Sequence, residues 1–185
     1  MKTRKTITKK IEIPEKATAK IEGSKITVSG PAGTIERTFI TGEKIEVKQE
    51  GKSIIVECKN ANRKEKNAAN TMAAHIRNMA EGAINGFEYK LQICATHFPM
   101  TVTVDKGKGM LIIKNFLGEN KDRITKLSKE IDVEVKGDII TVKSADIEKA
   151  AQCAATIEKT TKITDRDRRV FEDGIFIISK AGEKI

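Results

Sequence analysis

Residues 44–56, Lys-Ile-Glu-Val-Lys-Gln-Glu-Gly-Lys-Ser-Ile-Ile-Val, recur at residues 130–142 as Glu-Ile-Asp-Val-Glu-Val-Lys-Gly-Asp-Ile-Ile-Thr-Val. A shift of 86 residues carries Ile45 to Ile131, Val47 to Val133, Gly51 to Gly137, Ile54 to Ile140 and Val56 to Val142. The same shift pairs Gly23 with Gly109, Ile26 with Ile112 and Arg37 with Arg123. In each copy β-branched residues alternate with charged ones, stop at a glycine and resume, which is the pattern of a hairpin with one buried face. A long repeat present twice predicts two small domains, because a solenoid needs about three or more short units to bury a core.

Each copy also carries one helical stripe. In the first, Ala69, Met72, Ala73, Ile76, Met79, Ala80 and Ala83 recur at three- and four-residue spacing. Asn62 is placed to cap that helix, and Gly82 or Gly86 to stop it. In the second, Ser144 is the expected cap, Asp146 and Glu148 fall in the first turn where the dipole favours acids, and Ile147, Ala151, Ala154 and Ile157 face inward. Short strands are predicted at residues 18–21, 25–29, 34–40 and 111–116, with an extended segment at 86–98 and a final strand after Gly174. Gly30-Pro31-Ala32-Gly33 has the spacing of a nucleic-acid-clamping loop, but that loop lies between helices and uses backbone N–H groups. With strands on both sides and a proline that lacks an N–H, it reads as a turn. The expected fold is α+β, a tandem duplication of a small antiparallel β-sheet packed on one α-helix. Residues 1–10 are expected to be a basic flexible arm, 11–84 the first repeat and 85–185 the second, with a C-terminal segment that contacts RNA.

Charged residues make up 33% of the chain, the net charge is +9, and there is no Trp, one Tyr and six Phe. The surface must be ionic and the interior aliphatic, a balance that points to a polyanionic partner rather than a small-molecule pocket. Residues 1–90 hold 18 Lys and Arg against 11 Asp and Glu, and residues 91–185 hold 17 against 15. Cys58, Cys94 and Cys153 form no close pair, so neither a disulfide framework nor a zinc knuckle is indicated, and a reduced intracellular setting is expected. No apolar leader or membrane-length run stands out in the sequence, so a cytosolic or nuclear location is expected.

Nothing in the chain matches a metal-protease, phosphate-loop or nucleophile-elbow motif, and His75 and His97 stand in no triad or ligand spacing. The carboxylates alternate with lysines on strand faces, where solvated ion pairs explain them. No enzyme activity, cofactor, metal or small-molecule substrate is expected. Cations instead gather in the arm, in the loop at 59–66 with Arg63 and Lys64, at Lys106 and Lys108 in a turn, and at Lys162, Arg166, Arg168 and Arg169 after the last helix. Loops that present Lys and Arg from a rigid sheet suit phosphate contacts, although each cluster alone could serve only solubility. The low aromatic content disfavours base stacking on single strands, so the implied target is folded RNA read by shape. The rival reading is a protein-binding adaptor that recruits peptides along exposed strand edges.

Six phrases carry a family resemblance: Gly30-Pro31-Ala32-Gly33-Thr34, Asn62-Arg63-Lys64-Glu65, Gly86-Phe87-Glu88-Tyr89-Lys90, His97-Phe98-Pro99, Asn115-Phe116-Leu117-Gly118-Glu119 and Asp173-Gly174-Ile175. In order and spacing over residues 11–180 the chain resembles the L-six family of large-subunit ribosomal proteins, called L-nine in eukaryotes, in its archaeal and eukaryotic branch. The resemblance implies a duplicated α+β fold and a structural role in translation. It also implies binding of large-subunit rRNA, mainly through the second domain, near the sarcin–ricin loop and the stalk base. Neighbouring ribosomal proteins would be partners, translational GTPases would dock nearby, and no membrane would be involved. The location implied is cytoplasmic, in ribosomes, and nucleolar during assembly if the source is eukaryotic. Carried over by position, Asn115, Lys162, Arg166, Arg168, Arg169 and Phe87, Tyr89 and Lys90 become candidate RNA contacts beside Arg63, Lys64, Lys106 and Lys108. A basic residue is usual where Ala32 stands, which weakens any RNA contact from that turn.

Overall fold

The computed structural model describes residues 5–39, 44–167 and 169–185. It divides into two compact units, residues 1–86 and 87–185.

The first unit runs β1 (Lys5–Glu12), β2 (Thr18–Glu22), β3 (Lys25–Gly30), β4 (Gly33–Thr38), β5 (Ile45–Glu50), β6 (Ser53–Ala61) and α1 (Arg63–Asn85). Its strands form two antiparallel sheets, ordered β1-β6-β5 and β2-β3-β4. The hairpin of the repeat is β5–β6, where pairing of Glu50 with Ser53 leaves Gly51 and Lys52 as a two-residue turn. Gly51 has φ +60° and its repeat partner Gly137 φ +58°, a left-handed geometry that two-residue hairpins require and that glycine adopts without strain. The period-two pattern buries Ile54, Val56 and Cys58 of β6, which lies against α1. From the helix, Ala69, Met72, Ala73, Ile76, Met79, Ala80 and Ala83 are buried, the stripe read from the sequence.

Two expectations are corrected in this unit. Residues 59–66 are not a loop: Lys59–Ala61 close β6, and Arg63 opens α1. A capping box makes the junction this short, because Asn62 Oδ1 accepts from Lys64 N and Glu65 N while Asn62 N donates to Glu65 Oε2. Nor are residues 5–10 a flexible arm. They belong to β1, whose Ile11 is buried and whose ladder to β6 runs from Lys5 opposite Ala61 to Glu12 opposite Ser53. Alternation begins at Ile7, masked in the sequence by the lysines on either side. The Gly30–Gly33 stretch is the β3–β4 turn, and Ala32 N donates to Ala83 O, which ties the turn to the end of α1.

The second unit runs β7 (Phe87–Cys94), β8 (Thr101–Asp105), β9 (Met110–Lys114), β10 (Arg123–Lys126), β11 (Asp132–Lys136), β12 (Ile139–Ser144), α2 (Ile147–Thr160), β13 (Gly174–Lys180) and β14 (Glu183–Lys184). One sheet is β10-β9-β8, and the other is β11-β12-β7-β13-β14. Here β7 stands where β1 stood, and the β11–β12 hairpin repeats β5–β6. The addition is β13, which pairs with the edge of β7 opposite β12. Leu91, Leu111, Ile113, Phe116, Ile140, Val142, Ile157 and Ile175 are fully buried beneath α2 and between the sheets. The cap of α2 is Asp146 rather than Ser144: Asp146 Oδ1 accepts from Glu148 N, while Ser144 Oγ accepts from Asp146 N and so steadies the cap. Cys153 fills core space, and burial pushes its thiol up to about 11. Among the described residues, no helix is long and apolar enough to cross a membrane.

Candidate nucleic-acid interface

The chain between α2 and β13 has no counterpart in the first unit, and three anchors shape it. At its start, Arg123 caps the end of α2: Nη1 donates to Thr160 O at 2.8 Å and Lys162 O at 3.3 Å. A cation at a helix C-terminus is favoured by the dipole and satisfies carbonyls that lack an intrahelical partner. The same guanidinium grips Glu119 through both carboxylate oxygens, at 2.8 and 2.6 Å, and lies 4.3 Å from the Phe116 ring centroid. The hydrogen bonds from Arg123 hold the Glu119 carboxyl below the usual carboxylate range against its partial burial.

Where the segment returns to the sheet, Ile175 N donates to Thr161 Oγ1 at 3.0 Å, so the loop is closed on itself. Asp173 forms the third anchor. Its side chain is 2% exposed, and its Oδ1 accepts from Thr96 N at 2.7 Å and His97 N at 2.9 Å while Oδ2 lies 2.5 Å from His97 Nδ1. Burial alone would raise this carboxyl, but the hydrogen bonds from His97 and Thr96 outweigh it and hold the group below its ordinary value. Above Asp173 the rings stack in sequence. The His97 and Phe171 centroids are 5.0 Å apart at 27°, and the Arg166 guanidinium carbon lies 4.8 Å from the Phe171 centroid. Phe171 is thus the peg that fixes a cationic loop to its unit.

The residues singled out in the sequence fall into separate groups. Lys162, Arg166 and Arg169 are exposed on the loop, and Arg169 pairs with Asp167 at 2.8 Å; Arg168 lies outside the described residues. Lys106 and Lys108 sit in the β8–β9 turn, where Lys106 pairs with Asp132 at 3.1 Å. Lys90 is exposed on β7 and pairs with Glu88 at 3.0 Å. Arg63 and Lys64 are exposed in the first turn of α1 and belong to the first unit. Phe87 and Tyr89 must be withdrawn as RNA contacts, because β7 turns both rings into the core, where they are 9% and 6% exposed. Asn115 is exposed, yet its Nδ2 donates to Pro99 O at 2.9 Å, which makes it a brace between two loops.

Sequence reasoning missed the groups that build the loop, namely Arg123, Glu119, Asp173 and His97. The signal for them was indirect: Arg123 is the repeat echo of Arg37, and His97, Glu119 and Asp173 lie within the phrases that carry the family resemblance, with no role attached to them there.

The Asp173 anchor carries a prediction. Asp173→Asn removes the charge that strengthens three hydrogen bonds, and it should destabilise the second unit by about 1.5–3 kcal/mol at neutral pH. Because the native carboxyl is held below 3.8, its contribution is fully present above that value and is lost as pH falls through the lower native one. The gap between mutant and wild-type melting curves should therefore close as pH drops below about 4. A gap that stays constant down to about pH 2 would contradict the assignment.

A duplicated α+β chain whose second copy presents cations from a braced loop is the class that the fold and this segment define. Comparison with known proteins agrees and narrows the class. The family model described as Ribosomal protein L6 matches the chain twice, over residues 13–86 and 98–174, once in each copy. The large ribosomal subunit protein uL6 of Staphylothermus marinus is 48% identical over 172 residues, covering 92% of this chain and 93% of the relative. The uL6 proteins of Desulfurococcus amylolyticus and Methanosarcina mazei are each 44% identical, covering 94% and 96% of the chain and 95% and 99% of the relative. The chain belongs to the ribosomal protein L6 family.

Proposed function

We propose that this chain is a structural, non-enzymatic constituent of the large ribosomal subunit, working in cytoplasmic ribosomes among neighbouring ribosomal proteins. Its second unit grips folded rRNA by phosphate and shape contacts near the sarcin–ricin loop and the stalk base, and so supports the surface that translational GTPases use. The observation that carries this reading is the double family match together with a segment that has no counterpart in the first unit, the loop from Lys162 to Asp173. That loop is held by Arg123, Thr161, Phe171 and Asp173, while Lys162, Arg166 and Arg169 remain exposed. Such an arrangement lets cations meet phosphates without the ordering cost of a floppy loop. Tagged protein should cosediment with large subunits through a sucrose gradient and leave them as salt is raised. Protein that stays at the top of the gradient would speak for the adaptor reading instead.

A further inference from the structure

Among the large apolar side chains of the described residues, Phe98 is one of the few left exposed, at 47%, and it is the aromatic one. An isolated exposed aromatic needs no explanation in itself. The chain around Phe98 does, because it is fastened on both sides. Before it, the N–H groups of Thr96 and His97 are both held by the buried Asp173 carboxylate. After it, the Pro99 carbonyl is held by the side chain of Asn115. Asn115 and Leu117 themselves sit at φ +57° and +49°, a left-handed conformation that costs non-glycine residues energy and tends to persist at working sites. Next to them is Gly118, at φ +77°, and a Cβ placed there would lie 3.7 Å from the outer edge of the Phe98 ring. The Phe98 ring therefore faces the side of Gly118 where a side chain would stand.

Planar side chains neighbour this stretch, with the carboxylates of Asp173 and Glu119 among them. His97 stacks on Phe171, Arg166 lies on Phe171, and Arg166 is close enough to Glu119 to help lower its carboxyl. A protein partner would call for a contiguous apolar patch with a polar rim. One rigid ring beside guanidinium and imidazole planes suits an unstacked nucleobase, whose π face rests on the aromatic while its phosphates meet the cations.

We infer that Phe98 is a stacking platform for an unpaired base of the large-subunit rRNA. This rests on the rRNA-binding reading above and adds a base contact to a phosphate-binding loop. It also amends the expectation that base stacking is disfavoured: the chain is poor in aromatics, but the fold sets one of them on a braced loop.

The test uses the full chain and deproteinised large-subunit rRNA from the source ribosomes. Phe98→Ala, and Phe98→Leu which keeps an apolar side chain against Gly118 without a π face, should each weaken binding roughly 5- to 150-fold, the factor that about 1–3 kcal/mol of stacking represents. The slope of log affinity against log salt should not change, because every phosphate contact stays in place. Phe98→Trp should bind as wild type does. Ultraviolet irradiation should give a nucleotide adduct on the peptide containing Phe98. Binding that survives both Phe98→Ala and Phe98→Leu, or adducts that map only elsewhere, would overturn the inference and leave the phosphate reading standing. Wild-type protein with no saturable, salt-dependent binding would overturn both.

Discussion

Ile140→Asp should abolish the unfolding transition of the second unit and leave that of the first in place, and Ile54→Asp should do the reverse. The two positions are related by the 86-residue shift, and both side chains are 0% exposed. Ile140 lies opposite Leu91 on one side and Val135 on the other, and Ile54 opposite Ile11 and Gln49. At Ile140 both cross-strand neighbours are apolar, and at Ile54 the one polar neighbour is the solvent-exposed Gln49. Burial of an unpaired charge costs several kcal/mol, comparable to the total stability of a domain of about 90–100 residues, roughly 5–15 kcal/mol. Thr141→Asp is the control, since Thr141 is on the opposite face of β12 and half-buried. Differential scanning calorimetry reads the result directly, because two units with separate cores give separable transitions. If both mutants keep the wild-type profile, the assignment of the buried faces is wrong.

How much of this was legible beforehand varies with the kind of force involved. Both hairpins and the stripe of α1 were readable, because alternation and the 3.6-residue period report directly on which face is buried. Residues 5–10 misled because an edge strand dense in lysine looks like a solvated tail; only the ladder to β6 distinguishes them. Phe87 and Tyr89 misled for a related reason. A family phrase marks a stretch of chain, whereas strand pleat decides which of its side chains turn inward, and these two turn to the core. The interface was legible as a set of cations but not as a structure. Its anchors join residues far apart in the chain, Arg123 to Thr160 and Asp173 to Thr96 and His97, and no local pattern encodes such pairs. Asn115 shows the same gap, since its brace to Pro99 exists only once two loops meet.

The central claim is that the loop after α2 is the principal grip on rRNA. Replacing Arg166, Arg168 and Arg169 together by Glu should weaken binding strongly without unfolding the unit. Arg166 and Arg169 are exposed, the cation–π interaction of Arg166 is worth only about 0.5–1 kcal/mol, and the closure of the loop by Thr161, Phe171 and Asp173 does not depend on them. On a duplex target, each phosphate that goes unneutralised should flatten the salt dependence by about 0.9 in log affinity per log salt, up to about 2.7 for three. The matched control is Arg63, Lys64 and Lys66 to Glu in the first turn of α1. Acids there are favoured by the helix dipole, so any weakening of binding in that variant reports a missing RNA interaction rather than a damaged fold. The deciding measurement is the affinity of wild type and both variants for deproteinised large-subunit rRNA across a salt series. A large drop in affinity with a flattened slope in the loop variant, and a small change in the helix variant, is the result expected. An unchanged slope in the loop variant with a large drop in the helix variant would move the grip to the first unit and contradict the account.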